Sequence, residues 1–188
     1  KEEFVKAVTD GLLPPPGYFG LNVAMNKKGY ESFETVLNNG MRTLNTTEFE
    51  AAADTTDAIV LDTRDNGEFS KGFIPRSINI GINGDFAPWV GALIKDVKQP
   101  ILLITELGQE EETVTRLSRV GFDHVIGHLK GGFESWKVAD KEIDTVNRIT
   151  AEELETKYNA GETTIIDVRK ISEFKSEHLI NAENIPLN

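Results

Sequence analysis

Short apolar runs separated by polar, turn-forming stretches recur through the middle of the chain. Residues 58–61, 78–82, 100–104 and 124–129 are each four to six positions long and mainly aliphatic, a length that suits strands. Helical patterns fall between them, over 46–53, 86–94 and 109–120. In the last, Val114, Leu117 and Val120 repeat at three-residue spacing, Arg116 and Arg119 occupy the final turns, and Gly121 follows as a stop. This alternation predicts an α/β domain with a mostly parallel sheet covered on both faces. A further short helix is predicted over 2–9, ahead of Pro14-Pro15-Pro16, which favours an extended polyproline segment acting as a linker or packing through its apolar neighbours.

The chain also matches itself at an offset of 105 residues. Val60-Leu61-Asp62-Thr63-Arg64 aligns with Ile165-Ile166-Asp167-Val168-Arg169, Glu68-Phe69 with Glu173-Phe174, and Asn79-Ile80 with Asn184-Ile185. The helix starts repeat too: Asn45 with Glu48, and Thr150 with Glu153, each combine an N-cap residue with a carboxylate three positions on. The repeat divides the chain into 1–40, a complete copy over 41–144, and a second copy over 147–188 that stops before its counterpart of the 100–110 region. Some 40 residues of an α/β fold do not hold a core alone. With Lys1 as the first residue, the chain is expected to be a piece of a longer protein.

Composition narrows the chemistry. The net charge of −11, with no offsetting basic cluster, argues against nucleic acid and against an anionic membrane surface. No apolar run is long enough for a spanning helix. The absence of cysteine excludes disulfides, thiolate catalysis and thiolate-ligated metals. His124, His128 and His178 do not have metal-ligand spacing. His124 and His128 are expected to share one strand face, yet no Ser-His-Asp order is present to activate a hydroxyl such as that of Thr105. Asp62 and Asp167, at strand ends, are expected to pair with Arg64 and Arg169 or to fix a nearby loop. Trp89 and Trp136 are expected in the core, and Gly131-Gly132 in a tight strand-to-helix turn.

The candidate site is the junction Thr105-Glu106-Leu107-Gly108-Gln109-Glu110, an apolar strand entering a glycine turn and then a helix. Leu61-Asp62-Thr63-Arg64 with Glu68-Phe69, Gly72-Phe73-Ile74-Pro75, and Leu129-Lys130-Gly131-Gly132-Phe133-Glu134-Ser135-Trp136 resemble the opening and closing signatures of the rhodanese family. The second copy resembles the opening signature as well, through Asp167-Val168-Arg169, His178-Leu179-Ile180-Asn181-Ala182 and Asn184-Ile185-Pro186-Leu187. The resemblance implies a three-layer domain with a mostly parallel five-stranded sheet, followed by a truncated second copy. In that family the turn opens with a cysteine, keeps a glycine three residues later, and commonly ends in arginine. Here Thr105 takes the cysteine position, Gly108 keeps the glycine, and Glu110 takes the arginine position.

Two consequences follow for sulfur transfer. A threonine hydroxyl cannot accept sulfane sulfur as a persulfide, and the phosphatase chemistry of some relatives needs the same missing thiol. In addition, Glu106, Glu110, Glu111 and Glu112 crowd the entrance. One like charge at about 6 Å opposes an anion by roughly 0.7 kcal/mol in water and ~3 kcal/mol at an effective dielectric of 20. A helix terminus returns only ~0.3–1 kcal/mol. Glu110–Glu112 also have a plainly structural role, because carboxylates in a first helical turn complement the dipole.

The N-terminal stretch, through Phe4-Val5, Gly11-Leu12, Pro14-Pro15-Pro16, Tyr18-Phe19, Asn22 and Asn26-Lys27-Lys28-Gly29, resembles the end of a metallo-β-lactamase-fold domain fused ahead of tandem rhodanese domains in persulfide dioxygenase-like proteins. The helix from Glu111 to Leu117 with Arg119-Val120-Gly121-Phe122-Asp123 resembles the first rhodanese module of such fusions. This resemblance implies a cytoplasmic parent in persulfide metabolism, with iron or zinc only in an upstream domain and no cofactor in the present residues. It implies the upstream domain and a downstream rhodanese domain as partners, and self-association as a further option. It leaves open a sulfurtransferase whose cysteine lies beyond residue 188, and a cradle that binds a neutral metabolite.

Overall fold

A computed structural model describes residues 1–9, 19–29 and 31–187. The expected polyproline segment at 14–16 lies outside the described residues. The chain runs α1 (Glu2–Thr9), α2 (Phe19–Lys28), α3 (Phe33–Gly40), β1 (Thr43–Leu44), α4 (Thr46–Thr55), β2 (Ile59–Asp62), α5 (Asn66–Lys71), β3 (Ile78–Asn79), α6 (Phe86–Leu93), β4 (Ile101–Ile104), α7 (Glu110–Ser118), β5 (Val125–Leu129) and α8 (Gly132–Val138). It continues through α9 (Ala151–Asn159), β6 (Ile166–Asp167), α10 (Ile171–Ser176) and β7 (Glu183–Asn184). No helix among the described residues is long and apolar enough to cross a membrane.

Five strands form one parallel sheet in the order β1-β5-β4-β2-β3. Central strand β4 explains the layering. Ile101, Leu102, Leu103 and Ile104 are all fully buried, and each such side chain stabilises by roughly 1.5–3 kcal/mol. Ile101 and Leu103 pack with Val36 of α3, Phe86 and Val90 of α6, and Val114 and Leu117 of α7. Leu102 and Ile104 face the opposite way, onto Phe49 of α4 and Phe133 and Trp136 of α8. Alternation along a strand buried on both faces produces the unbroken apolar run of the sequence. The α/β class, the parallel five-stranded sheet and its three layers are thus those expected.

Both capping boxes form. Glu48 N–H donates to Asn45 Oδ1 at 3.0 Å and Asn45 N–H to Glu48 Oε2 at 2.9 Å. Thr150 and Glu153 repeat the exchange at 3.2 and 2.7 Å. Several elements were not foreseen: α2, α5 and α10, and, next to the sheet, β1 and α3. A two-residue strand carries no periodicity to read, and α3 is fixed by its contact with α7: a Cβ on Gly40 would lie 2.7 Å from Val114 Cγ2. Strand β5 contains a bulge, with Ile101 opposite Val125 but Leu102 opposite Gly127. Gly127 has φ +153°, and a Cβ there would stand 2.8 Å from the Arg42 carbonyl oxygen.

A buried ion pair ties the sheet to its surroundings. The Arg64 guanidinium donates to both oxygens of Asp62, with Nη2–Oδ2 at 2.6 Å, and to the Gly72 carbonyl at 2.9 Å. It also lies 4.1 Å from the centre of the Phe133 ring. Asn79 Nδ2 donates to the carbonyls of Asp62 and Arg64, both at 3.0 Å, fastening β3 to β2. The arrangement recurs 105 residues on. Arg169 donates to Asp167 and to the Glu177 carbonyl, and Asn184 donates to the carbonyls of Asp167 and Arg169. The difference is solvent: the Arg64 and Asp62 side chains are 8% and 0% exposed, those of Arg169 and Asp167 47% and 13%. Side-chain and then backbone hydrogen bonds from Arg169 hold the Asp167 carboxyl below its ordinary value near 3.8. What that pair contributes is therefore present above this value and lost as pH falls through the lower folded one.

This contrast predicts unequal effects of one substitution at equivalent positions. Arg64→Gln strands a buried carboxylate and should lower unfolding stability by about 3–5 kcal/mol. Arg169→Gln should leave the main denaturation midpoint nearly unchanged. Urea titrations of the two variants check this, and equal losses would contradict it.

Candidate functional site

The chain leaves β2 toward β3 on one side and leaves β4 toward β5 on the other, so the loops after β2 and β4 diverge. Such a switch point at the carboxyl ends of parallel strands is where α/β proteins place ligands. Thr63 follows β2 and Thr105 follows β4. They are locked together, since the Thr63 N–H and Oγ1 both donate to the Ile104 carbonyl, at 2.8 and 3.2 Å. Thr105 itself is 4% exposed, and no side-chain hydrogen bond reaches its hydroxyl among the described residues.

The turn is shaped by local bonds. Gln109 N–H donates to the Glu106 carbonyl at 3.1 Å, and Gly108 takes φ +86°, a conformation that favours glycine. The Gln109 carbonyl then receives the Thr113 N–H and hydroxyl, at 2.9 and 2.8 Å, which starts α7. Gly131 and Gly132 both have positive φ, and a Cβ on Gly132 would come within 3.1 Å of the Thr105 carbonyl oxygen. The glycine pair is thus the strand-to-helix turn expected, and it also lets α8 press against the candidate loop.

The rim is acidic and mostly uncompensated. Glu110, Glu111 and Glu112 occupy the first turn of α7, which has no side-chain N-cap. Glu112 pairs with Arg116, whose other nitrogen donates to the Ile82 carbonyl at 2.7 Å. Glu106, Glu110 and Glu111 have no ion-pair partner among the described residues. Leu107, at the tip, is 72% exposed. Thr105, Glu106, Leu107, Gly108, Gln109 and Glu110 therefore form one continuous turn at the switch point. The hydroxyl of Thr105 is at its start, and carboxylates follow it in sequence at 106 and 110–112.

Two expectations are corrected. His124 and His128 do not share a face. The β5 bulge breaks the alternation, so Val125 packs on one side of the sheet and Leu129 on the other despite their even spacing. His124 is exposed against the Lys98 carbonyl, and the buried His128 meets Thr43 Oγ1 at 3.1 Å, so neither is hydrogen-bonded to Thr105. Trp89 is not in the core: α6 buries Phe86 and Val90 and leaves Trp89 39% exposed. Trp136 is buried as expected, with its indole N–H on the Glu142 carbonyl.

A parallel α/β sheet with a strand-turn-helix loop at its switch point and an aspartate–arginine pair beneath defines the class of fold. The chain belongs to the rhodanese-like domain family, whose profile matches residues 45–139. It is 35% identical over 81 residues to the uncharacterized protein YibN of Escherichia coli K12, covering 43% of this chain and 56% of YibN. It therefore spans about half the length of the curated relatives it matches. A metallo-β-lactamase from Staphylococcus aureus COL superposes with a TM-score of 0.55 at 20% identity, over 68% of this chain and 34% of that one. A thiosulfate sulfurtransferase from Pseudomonas aeruginosa gives 0.47 at 18% identity, over 92% and 37%. At these identities the structural likenesses concern the fold alone.

A cavity of about 970 Å³ lies at the amino ends of β1 and β5, lined by Glu31, Arg42, Lys98, Asp123 and His124 among others. Burial first, and the nearby Glu31 second, push the Asp123 carboxyl above its ordinary value near 3.8. The folded state thus holds this proton more tightly, and stability falls as pH rises from that value through the raised one. Asp123→Asn should raise the melting temperature at pH 7 and lose that advantage below about pH 4. Thermal melts across pH check this, and an unchanged or lower melting temperature at neutral pH would refute it.

Proposed function

We propose that the rhodanese-like domain of this chain is a non-catalytic module that holds neighbouring parts of a persulfide-metabolising protein in place. The observation carrying this reading is Thr105 at the position where the resemblance puts the family's cysteine, in a turn that keeps a glycine at Gly108. Sulfur transfer would need a thiolate to attack a sulfane sulfur and keep it as a persulfide. An alcohol offers no such route. Three unpaired carboxylates at the mouth further disfavour thiosulfate or a persulfide anion.

In this reading residues 1–40 are the tail of a metallo-β-lactamase-like domain, 41–144 the inactive rhodanese-like domain, and 147–188 the start of a second one. The parent is cytoplasmic, and self-association is a further way of positioning its parts. Iron or zinc belongs to the upstream domain. Among the described residues no group of three or more His, Cys, Asp or Glu lies where it could hold a metal ion.

The recurring Asp167–Arg169–Asn184 network supports a second unit, as does the exposure of its apolar residues. Ile166, Val168, Ile185 and Leu187 are 53, 46, 48 and 52% exposed, whereas their counterparts Leu61, Thr63, Ile80 and Ile82 are 0, 1, 5 and 3% exposed. In the first unit β2 pairs with β4 as well as β3, and Leu61 and Ile80 pack with residues of α6 and α7. β6 pairs only with β7 among the described residues. The same observation favours the second reading, a sulfurtransferase whose cysteine lies in the completed second copy.

Two outcomes test these readings. The 188-residue chain should show no thiosulfate-to-cyanide sulfur transfer above the uncatalysed rate, and thiocyanate formation proportional to protein would overturn the non-catalytic reading. Hydrogen exchange should find the amides of β4 among the slowest and those of β6 among the fastest. Equal protection would remove the argument for an uncompleted second unit.

A further inference from the structure

We propose that the crevice at the carboxyl ends of β2 and β3, against α6, binds a small organic cation. In this site Trp89 forms an aromatic wall, and Asp65 and Asp85 are the counter-charges. The crevice has a volume of about 390 Å³, within the range of small-molecule sites. It is separate from the Thr105 turn, although Thr63 lines it and also bonds to the end of β4.

Three features point to a cation. First, α6 turns Phe86 and Val90 into the core, at 2% and 0% exposure, while Trp89 beside them stays 39% exposed and lines the crevice. A large indole left partly in water gains from an occupant, and its π face attracts a weakly hydrated ammonium group. Second, the wall carries two carboxylates and no lysine or arginine. Asp85 stands at the N-cap position of α6 without making a side-chain cap bond, and Asp65 commits only Oδ1, to the Gly67 N–H at 2.7 Å. Third, the Asn79 amide N–H groups are spent on the Asp62 and Arg64 carbonyls, so its Oδ1 remains as an acceptor. Carboxylates and a spare carbonyl oxygen beside an indole repel anions and complement a positively charged donor or a quaternary ammonium. The indole selects an organic cation over a hydrated metal ion, because π attraction rewards a cation that sheds water easily.

The test follows the two tryptophan indole N–H resonances by ¹⁵N–¹H NMR during titration with tetramethylammonium chloride at constant ionic strength, with Trp89→Leu assigning the signals. The expected result is a saturable shift of the Trp89 signal alone, weakened about fivefold or more in Asp85→Asn. A linear shift matched by sodium chloride would overturn the proposal. So would equal binding of neutral tert-butanol, tighter binding of magnesium, or unchanged affinity in Asp85→Asn with native circular dichroism.

Discussion

The Asp62–Arg64 pair is the constraint around which the site end of the molecule is organised. Two opposite charges buried together persist only when every remaining hydrogen-bonding group is satisfied. Here the Gly72 carbonyl, the Phe133 ring and the backbone N–H of Arg64 meet that demand. Each partner comes from a different piece of chain, so satisfying the pair fixes the loop after α5 and the start of α8 relative to β2. Through Gly132, α8 then touches the carbonyl of Thr105, and through Thr63 the same strand end grips Ile104. The candidate turn is held by groups whose task is to keep a buried charge paired. The shape of the turn therefore does not depend on which residue stands at 105.

In the proposed reading, the hydroxyl at 105 and the carboxylates around it act on different steps. A hydroxyl at 105 would offer sulfane sulfur no thiolate to bond to. The glutamates change what can approach, and they do so at little structural cost, because the first turn of α7 is where carboxylates are favoured. In that reading the residues that stabilise the start of α7 also oppose an anion there. Glu112 is the exception, being drawn to Arg116 and so helping to hold α7 to the loop after β3.

Much of this was legible in the residues. The unalternating run at 101–104 announces a strand buried on both faces, and the spacing of Asn45 to Glu48 and Thr150 to Glu153 announces two helix starts. The offset repeat announces two copies of one hydrogen-bond network. What escaped reading depends on contacts between distant segments. α3 is defined by the fit of Gly40 on Val114, and the two histidines are separated by a bulge that exists only in the pairing of β4 with β5. Trp89 sits among apolar neighbours in sequence, yet a helix buries only one stripe, and Phe86 and Val90 already fill it. The press of Gly132 on the Thr105 carbonyl likewise has no local signature.

The most direct test of a cradle kept in shape but disarmed is to return its chemistry in stages and weigh the product. Thr105→Cys and the double variant Thr105→Cys with Glu110→Arg would each be incubated with thiosulfate and examined by intact-protein mass spectrometry for a bound sulfur atom. The account predicts little or no persulfide on the single variant and clear accumulation on the double one. Full sulfur loading of the single variant would contradict it, because the carboxylate rim would then have no hold on the chemistry.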